Sequence, residues 1–251
     1  FPIGNVARDA GVLVFSGDLV SANSFAGKVS FFRSGQDPKD PGTVPAKIGS
    51  FMATRSEIGS VSSVSAASYG KSVLAGGSIV AAFGTNLASD TRVADSLPLP
   101  TTLGGTMVTV RINATTQVVA PLFFVSPTQI NYQIPDGMIA DSAAVIINQG
   151  SEVTAVETMR IAAMGPGLFT ADASGQGLAA AMVLRVKADG ERSYEPVARF
   201  DAARNIFVPV PVDLGDDSDQ VFLVLYGTGI RNRSSLGALS VTIGGLDAEL
   251  L

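Results

Sequence analysis

The side chains that could do chemistry in this sequence are few, and most are carboxylates. Asp213, Asp216, Asp217 and Asp219 crowd one short stretch and could offer oxygen ligands to Ca²⁺. Their spacing departs from the Asp-x-Asp-x-Asp-Gly of a calcium loop, so a solvated acidic turn is expected. Glu191, Glu195 and Asp201 could include the carboxylate pair of a glycoside hydrolase, but that chemistry depends on a spatial separation that sequence does not carry. Tyr132, Tyr194 and Tyr226 could contact a sugar, yet each lies in a strand pattern, where burial with a satisfied hydroxyl is expected. Gln129, Asn131 and Gln133 alternate with Ile130, Tyr132 and Ile134, which lines one strand face with amides. Water is the expected partner of that row. Gly227-Thr228-Gly229 has no following Lys-Ser/Thr and reads as a turn rather than a phosphate loop. Asn113-Ala114-Thr115 and Asn232-Arg233-Ser234 match the glycan-acceptor tripeptide, a pattern frequent by chance. No residue is assigned as catalytic, cofactor-binding or metal-ligating.

Composition narrows the classes further. The 251 residues include no Cys, no His and no Trp. That removes disulfides, thiolate sites and the commonest general base and metal ligand. Seventeen basic against 22 acidic residues, with a pI near 4.7, argue against a nucleic-acid footprint. No apolar run reaches the ~18 to 20 residues of a membrane helix. With 46% hydrophobic and 16% charged residues, and a mean hydropathy of +0.35, the chain has ample core material. Phe1 in place of Met leads us to expect a processed or partial chain.

The elements that must position these residues read as strands. Val221 to Leu225 is a short apolar run ending at Tyr226 and a Gly-Thr-Gly turn, the pattern of a strand buried on both faces. Residues 1 to 58 offer strands at 11–20 and 28–33, a loop at 21–27, and then linker chemistry around Pro38, Pro41 and Pro45. From 59 to 164 strands are expected at 78–83, 106–112, 118–125, 130–135, 143–148 and 153–162, with an extended crossing at 97–105. Turn spacing of that kind signals an immunoglobulin-like sandwich. Residues 165 to 251 continue with a strand at 178–187, or a helix given the propensity of Ala179-Ala180-Ala181-Met182, a hairpin turn at Ala188-Asp189-Gly190, and two short strands across Asp201 to Asn205.

An internal repeat joins the halves. Ile79 to Leu87 matches Phe222 to Ile230, and Leu103 to Val110 matches Leu236 to Ile243 after a loop ten residues shorter. Ala120 to Phe123 then matches Ala248 to Leu251, and the strands that follow in the first copy have no counterpart. The second sandwich is therefore expected to be incomplete. Truncation, a different but complete build, and a strand supplied by a neighbouring copy all remain open, with 12–20 as the donor in the last case.

The motifs from Ser65 onward resemble a known family. They are Ser65-Ala66-Ala67-Ser68-Tyr69, Phe83-Gly84-Thr85-Asn86-Leu87, Leu97-Pro98-Leu99-Pro100-Thr101-Thr102-Leu103-Gly104-Gly105, Ala120 through Pro135, Pro166-Gly167-Leu168-Phe169-Thr170 and Tyr226-Gly227-Thr228-Gly229-Ile230-Arg231. Together they resemble the uncharacterised C-terminal domain family of secreted Acidobacteria (Solibacter-type) proteins, with IPT/TIG-like modules. The resemblance implies tandem immunoglobulin-like sandwiches in a secreted or surface protein, and it carries over no catalytic residue.

The expectation is an all-β chain in three parts: an N-terminal β segment (1–58), a first sandwich (59–164) and an incomplete second one (165–251). The expected role is a non-enzymatic extracellular module for surface display, adhesion or self-assembly. A carbohydrate-binding accessory domain is the alternative. Partners would be further copies through strand edges, other extracellular proteins, or a polysaccharide, with no nucleic acid, no membrane span and no cofactor.

Overall fold

A computed structural model describes residues 11–21, 24–33, 39, 43, 47–54, 58–70 and 73–251. The described residues are all-β, built from several sheets and one short 3₁₀ turn at Leu236–Ala238. Among the described residues no helix is long and apolar enough to cross a membrane. Contacts divide the chain into two compact units, Phe1–Glu57 and Ile58–Leu251.

The first unit is a three-stranded antiparallel sheet of β1 (Gly11–Ser21), β2 (Ser24–Arg33) and β3 (Lys47–Thr54), in that order. Two expectations are corrected here. The stretch expected as a loop at 21–27 is strand from Ser24, because β2 pairs with β1 as far as Ser21↔Ser24. Lys47–Thr54, placed among linker residues, is a full strand that pairs with β2 from Phe31↔Lys47 to Ser24↔Thr54. Tertiary pairing overrides the weak strand preference of Gly49 and Ser50.

In the second unit, β4 (Gly59–Ser65), β5 (Leu74–Ala75), β6 (Ile79–Gly84), β7 (Arg92–Val93), β8 (Thr106–Arg111), β9 (Gln117–Val119), β10 (Leu122–Val125), β11 (Gln129–Gln133), β12 (Ala140–Gln149) and β13 (Glu152–Ala162) form one hydrogen-bonded path. Its order is β7-β10-β11-β6-β4-β13-β12-β8-β9, with β5 beside β13. The path bends at β4. Residues 61–65 run antiparallel to β6, while Gly59 and Ser60 pair in parallel with Ala155 and Val156 of β13. The apolar rows on either side of that bend share one core. Val80, Ala82, Leu122, Val125, Ile130 and Tyr132 come from one side, and Val108, Val110, Val145, Ile147, Ala155 and Ile161 from the other. The arrangement is consistent with a β-sandwich. The single strand expected at 118–125 is two strands. Proline 121 has no N–H to give a ladder, so β9 stays with β8 and β10 joins β11.

Beyond Ala162 the strands are β14 (Gly167–Leu168), β15 (Ala181–Val186), β16 (Arg192–Pro196), β17 (Ala198–Asp201), β18 (Ile206–Pro209), β19 (Gln220–Leu225), β20 (Gly227–Thr228), β21 (Val241–Ile243) and β22 (Leu246–Ala248). They make a sheet ordered β16-β15-β19 and the pairs β14-β20, β17-β18 and β21-β22. The expected double burial of Val221 to Leu225 is overturned. All five residues of this run are half-buried or exposed, and Leu223 is 41% exposed. Its twin β6 lies between β4 and β11, whereas among the described residues β19 has a neighbour on one side only. The turn chemistry of the repeat is shared nonetheless. Asn86 (φ 55) and Gly229 (φ 77) hold the same left-handed conformation at matching positions.

Candidate functional site

Polar side chains cluster in several places, and part of the acidic stretch belongs to the first. Arg185 lies on β15 at the same parity as buried Val183, and its guanidinium is the hub of the cluster. Its Nε and Nη2 donate to the two oxygens of Glu195 (2.7 and 3.2 Å), a bidentate clamp. Nη1 donates to Asp219 Oδ2 (3.2 Å) and Nη2 to the carbonyl of Asp213 (2.6 Å). Glu195 holds the Arg185 pKa above its ordinary value, and Arg185 in turn holds the Glu195 carboxyl below the usual range. Of the acidic stretch, Asp219 and the Asp213 carbonyl hold Arg185, while the side chains of Asp213, Asp216 and Asp217 are exposed, as a solvated turn requires. Gly215 (φ 70) permits that approach, since a Cβ there would stand 2.4 Å from Arg185 Nη1. Among the described residues no group of three or more carboxylates is arranged to hold a metal ion.

The three carboxylates weighed for glycoside hydrolysis are each committed elsewhere. Glu195 is clamped and held ionised, which unfits it to donate a proton. Glu191 pairs with Lys187 Nζ (2.7 Å), and Asp201 accepts the backbone N–H groups of Ala203 and Arg204 in the β17–β18 turn.

A second cluster was not singled out from the sequence. Glu157 of β13 stands directly opposite Val145, so it projects to the core side between Ala155 and Met159. One carboxylate oxygen accepts the N–H of Ser63 (2.9 Å), and the other makes a short hydrogen bond with Ser63 Oγ. Ser63 Oγ also meets the hydroxyl of Tyr132 (3.1 Å), which is wholly buried and reaches Met159 Sδ at 4.0 Å. The cluster sits where the β4–β13 ladder has ended after Ser60, and the carboxylate continues the tie between those strands. Burial raises the pKa of Glu157 against the opposing effect of the two Ser63 bonds. Burial likewise raises that of Tyr132.

That shift sets a pH dependence. The folded state binds the Glu157 proton more tightly than the unfolded chain, so its stabilising contribution is complete below the ordinary carboxyl pKa of 4.5 and is lost as pH rises through the higher folded value. The Glu157→Gln variant, which keeps a carbonyl acceptor for Ser63 and cannot ionise, is expected to lose that part of the pH dependence. Urea midpoints from about pH 4 to about pH 8 check this, the wild type declining relative to the variant across the window.

The third cluster links residues before and after Ala162 within the second unit. Gly227 and Thr228, expected in a turn, form strand β20 paired with β14, and only Gly229 bends; Thr228 accepts the N–H of Ile79 on its Oγ1 (2.8 Å). Arg231 Nη1 donates to Asp136 Oδ2 (3.1 Å), and Asn232 Nδ2 to the carbonyl of Gly76 (3.1 Å). The segment from Thr228 to Asn232 is a structural clasp. The two acceptor tripeptides differ here. The Asn232 amide nitrogen is committed to Gly76, whereas Asn113 is exposed and its Oδ1 accepts from Thr115 and Thr116.

Of the tyrosines, Tyr132 is buried as expected, but Tyr194 on the edge strand β16 and Tyr226 after β19 are exposed. Tyr69, not considered for binding, is exposed beside Phe83 with ring centroids 6.2 Å apart. Phe83 stands opposite Gln129 in the β6–β11 register, next to the amide row. Within that row Gln129 donates to Asn131 (2.8 Å), and Gln133 donates to the carbonyl of Gly77 (3.3 Å). Comparison of the chain with family models, with curated proteins and with solved structures gives no match.

Proposed function

We propose that this chain is a non-enzymatic extracellular structural module that associates with copies of itself through open sheet edges, in surface display, adhesion or assembly. One observation carries the reading. Among hydrophobic residues after Ala162 only Val183 is buried, while Phe200, Leu214, Leu223, Tyr226 and Leu246 stand exposed on or beside short sheets. Apolar strands with unpaired edges are templates for another chain. The engaged state of Glu191, Glu195 and Asp201 supports the non-enzymatic part. The extracellular part, and the finer assignment to tandem IPT/TIG-like sandwiches, rest on the motifs from Ser65 to Arg231 and on the Cys-free, low-charge composition. Sedimentation and negative-stain electron microscopy of the full chain test it. Mass growing with concentration in the micromolar range supports the reading, and a monomer at every concentration overturns it.

A second reading, binding of a neutral polysaccharide, is favoured by the Tyr69–Phe83 pair beside Gln129 and Asn131. It gives a separate prediction. Retention on an uncharged polysaccharide gel is expected to fall about threefold to tenfold in Tyr69→Ala, in line with the ~0.5–1.5 kcal/mol that aromatic contacts contribute. Equal mobility of variant and wild type on every gel would remove this reading.

A further inference from the structure

The two edges of the β16-β15-β19 sheet differ sharply. The β16 edge carries Arg192, Glu195 and Pro196, the charges and proline that block sheet extension. The β19 edge reads Val221-Phe222-Leu223-Val224-Leu225, without charge or proline. Residues directly opposite in an antiparallel pair project to the same face. Leu223 therefore shares its face with Val183 and Leu225 with Ala181. Val183 is buried, yet Leu223 beside it is 41% exposed.

The twin strand shows what such an edge takes. Val80 of β6, the match of Leu223, is fully buried, and the free side of β6 is filled by β11 running antiparallel, with Ile130 opposite Ala82 and Tyr132 opposite Val80. The filler is neutral and apolar at every second residue on the core side. Strand β19 itself meets that description, with Val221, Leu223 and Leu225 on one face.

We infer that β19 pairs antiparallel with β19 of a second copy about a two-fold axis. The two edges join into one six-stranded sheet, β16-β15-β19 followed by the same order reversed. A two-fold contact uses the same patch on both chains, so neutrality on one side is matched by neutrality on the other. The leucines of the two copies then cover each other, and the charged β16 strands end the sheet at both sides. This inference rests on the self-association reading and names the edge that performs it.

Hydrogen exchange on the full chain, at concentrations below and above association, tests it. The expected result is exchange at Val221, Leu223 and Leu225, whose N–H groups alternate with that of Tyr226 bonded to Ala180 and so face the open edge, about tenfold slower in the associated state. Leu223→Lys, at an exposed position that tolerates charge in the single chain, is expected to return those amides to the dilute rate and to halve the sedimenting mass. Association with protection confined to other segments, 11–21 included, overturns the β19 contact and leaves self-association standing. So does association undiminished in Leu223→Lys. A monomer throughout overturns both.

Discussion

Gly229→Ala lowers the stability of the second unit by about 2–5 kcal/mol, a large share of the ~5–15 kcal/mol that holds a typical domain. Two costs combine. At φ 77 an alanine occupies the left-handed region, at about 1–2 kcal/mol. Its Cβ would also stand 2.0 Å from the carbonyl oxygen of Gly165 and 2.8 Å from the carbonyl carbon. That neighbour is backbone, already fixed by the Gly165 N–H donating to Gly229 O (2.9 Å), so relief requires the chain itself to move. Overpacking of this kind adds about 1–3 kcal/mol. Gly165 cannot retreat, because its own Cα faces the Val73 carbonyl, and a Cβ there would lie 1.9 Å from that oxygen. The crossing of 165–167 over 227–229 thus depends on two glycines in contact. Two controls isolate the contributions. Gly137→Ala has φ 75 and open space around the new methyl, so only the conformational cost of about 1–2 kcal/mol remains. Gly237→Ala, with only Ser235 Oγ at 3.7 Å, is expected near zero. Urea denaturation at constant m-value measures all three.

The same position shows what sequence alone reveals. Gly229 and Asn86 stand at matched places in the repeat, and both residue types tolerate positive φ, so the turn was readable. What the turn approaches was not, since Gly165 is distant in sequence. The strands β6, β8, β11, β12 and β13 were readable because one face meets the core and the period-two pattern is kept, as in Met107 to Arg111, whereas the two-residue β7 (Arg92–Val93) carries no such pattern. Proline 121 was a signal for the β9–β10 break that the apolar run around it obscured. Glu157 had a signal too: Val153, Ala155, Met159 and Ile161 share its parity, so a carboxylate in that row needs a buried donor. Arg185 in the row of Ala181 and Val183 asked equally for carboxylates, and the acidic stretch 213–219 was there to meet it. Both sites could be inferred as demands. Their partners depend on strand order, which pattern does not encode.

Burial separates the twin strands energetically, and a pair of alanine substitutions reads out the difference. Ile130→Ala is expected to cost about 2–5 kcal/mol, because Ile130 is fully buried in the core shared by both sides of the bend and the neighbouring strands cannot collapse into the space. Its ladder to Ala82 on β6 and to Val125 on β10 fixes the backbone on both sides, so relaxation is small. Leu223→Ala removes the same number of carbons at a site already 41% exposed to water, with one neighbouring strand free to adjust. In dilute protein that change is expected to cost less than about 1 kcal/mol, within the range of surface substitutions. The contrast turns on concentration. If a second copy covers Leu223, its truncation weakens association, and the Leu223→Ala penalty grows as the protein is concentrated while that of Ile130→Ala stays fixed. Thermal melts of both variants across a hundredfold or so of protein concentration decide it. A Leu223→Ala shift that matches the wild type's own concentration dependence would place the covering strand elsewhere than on β19.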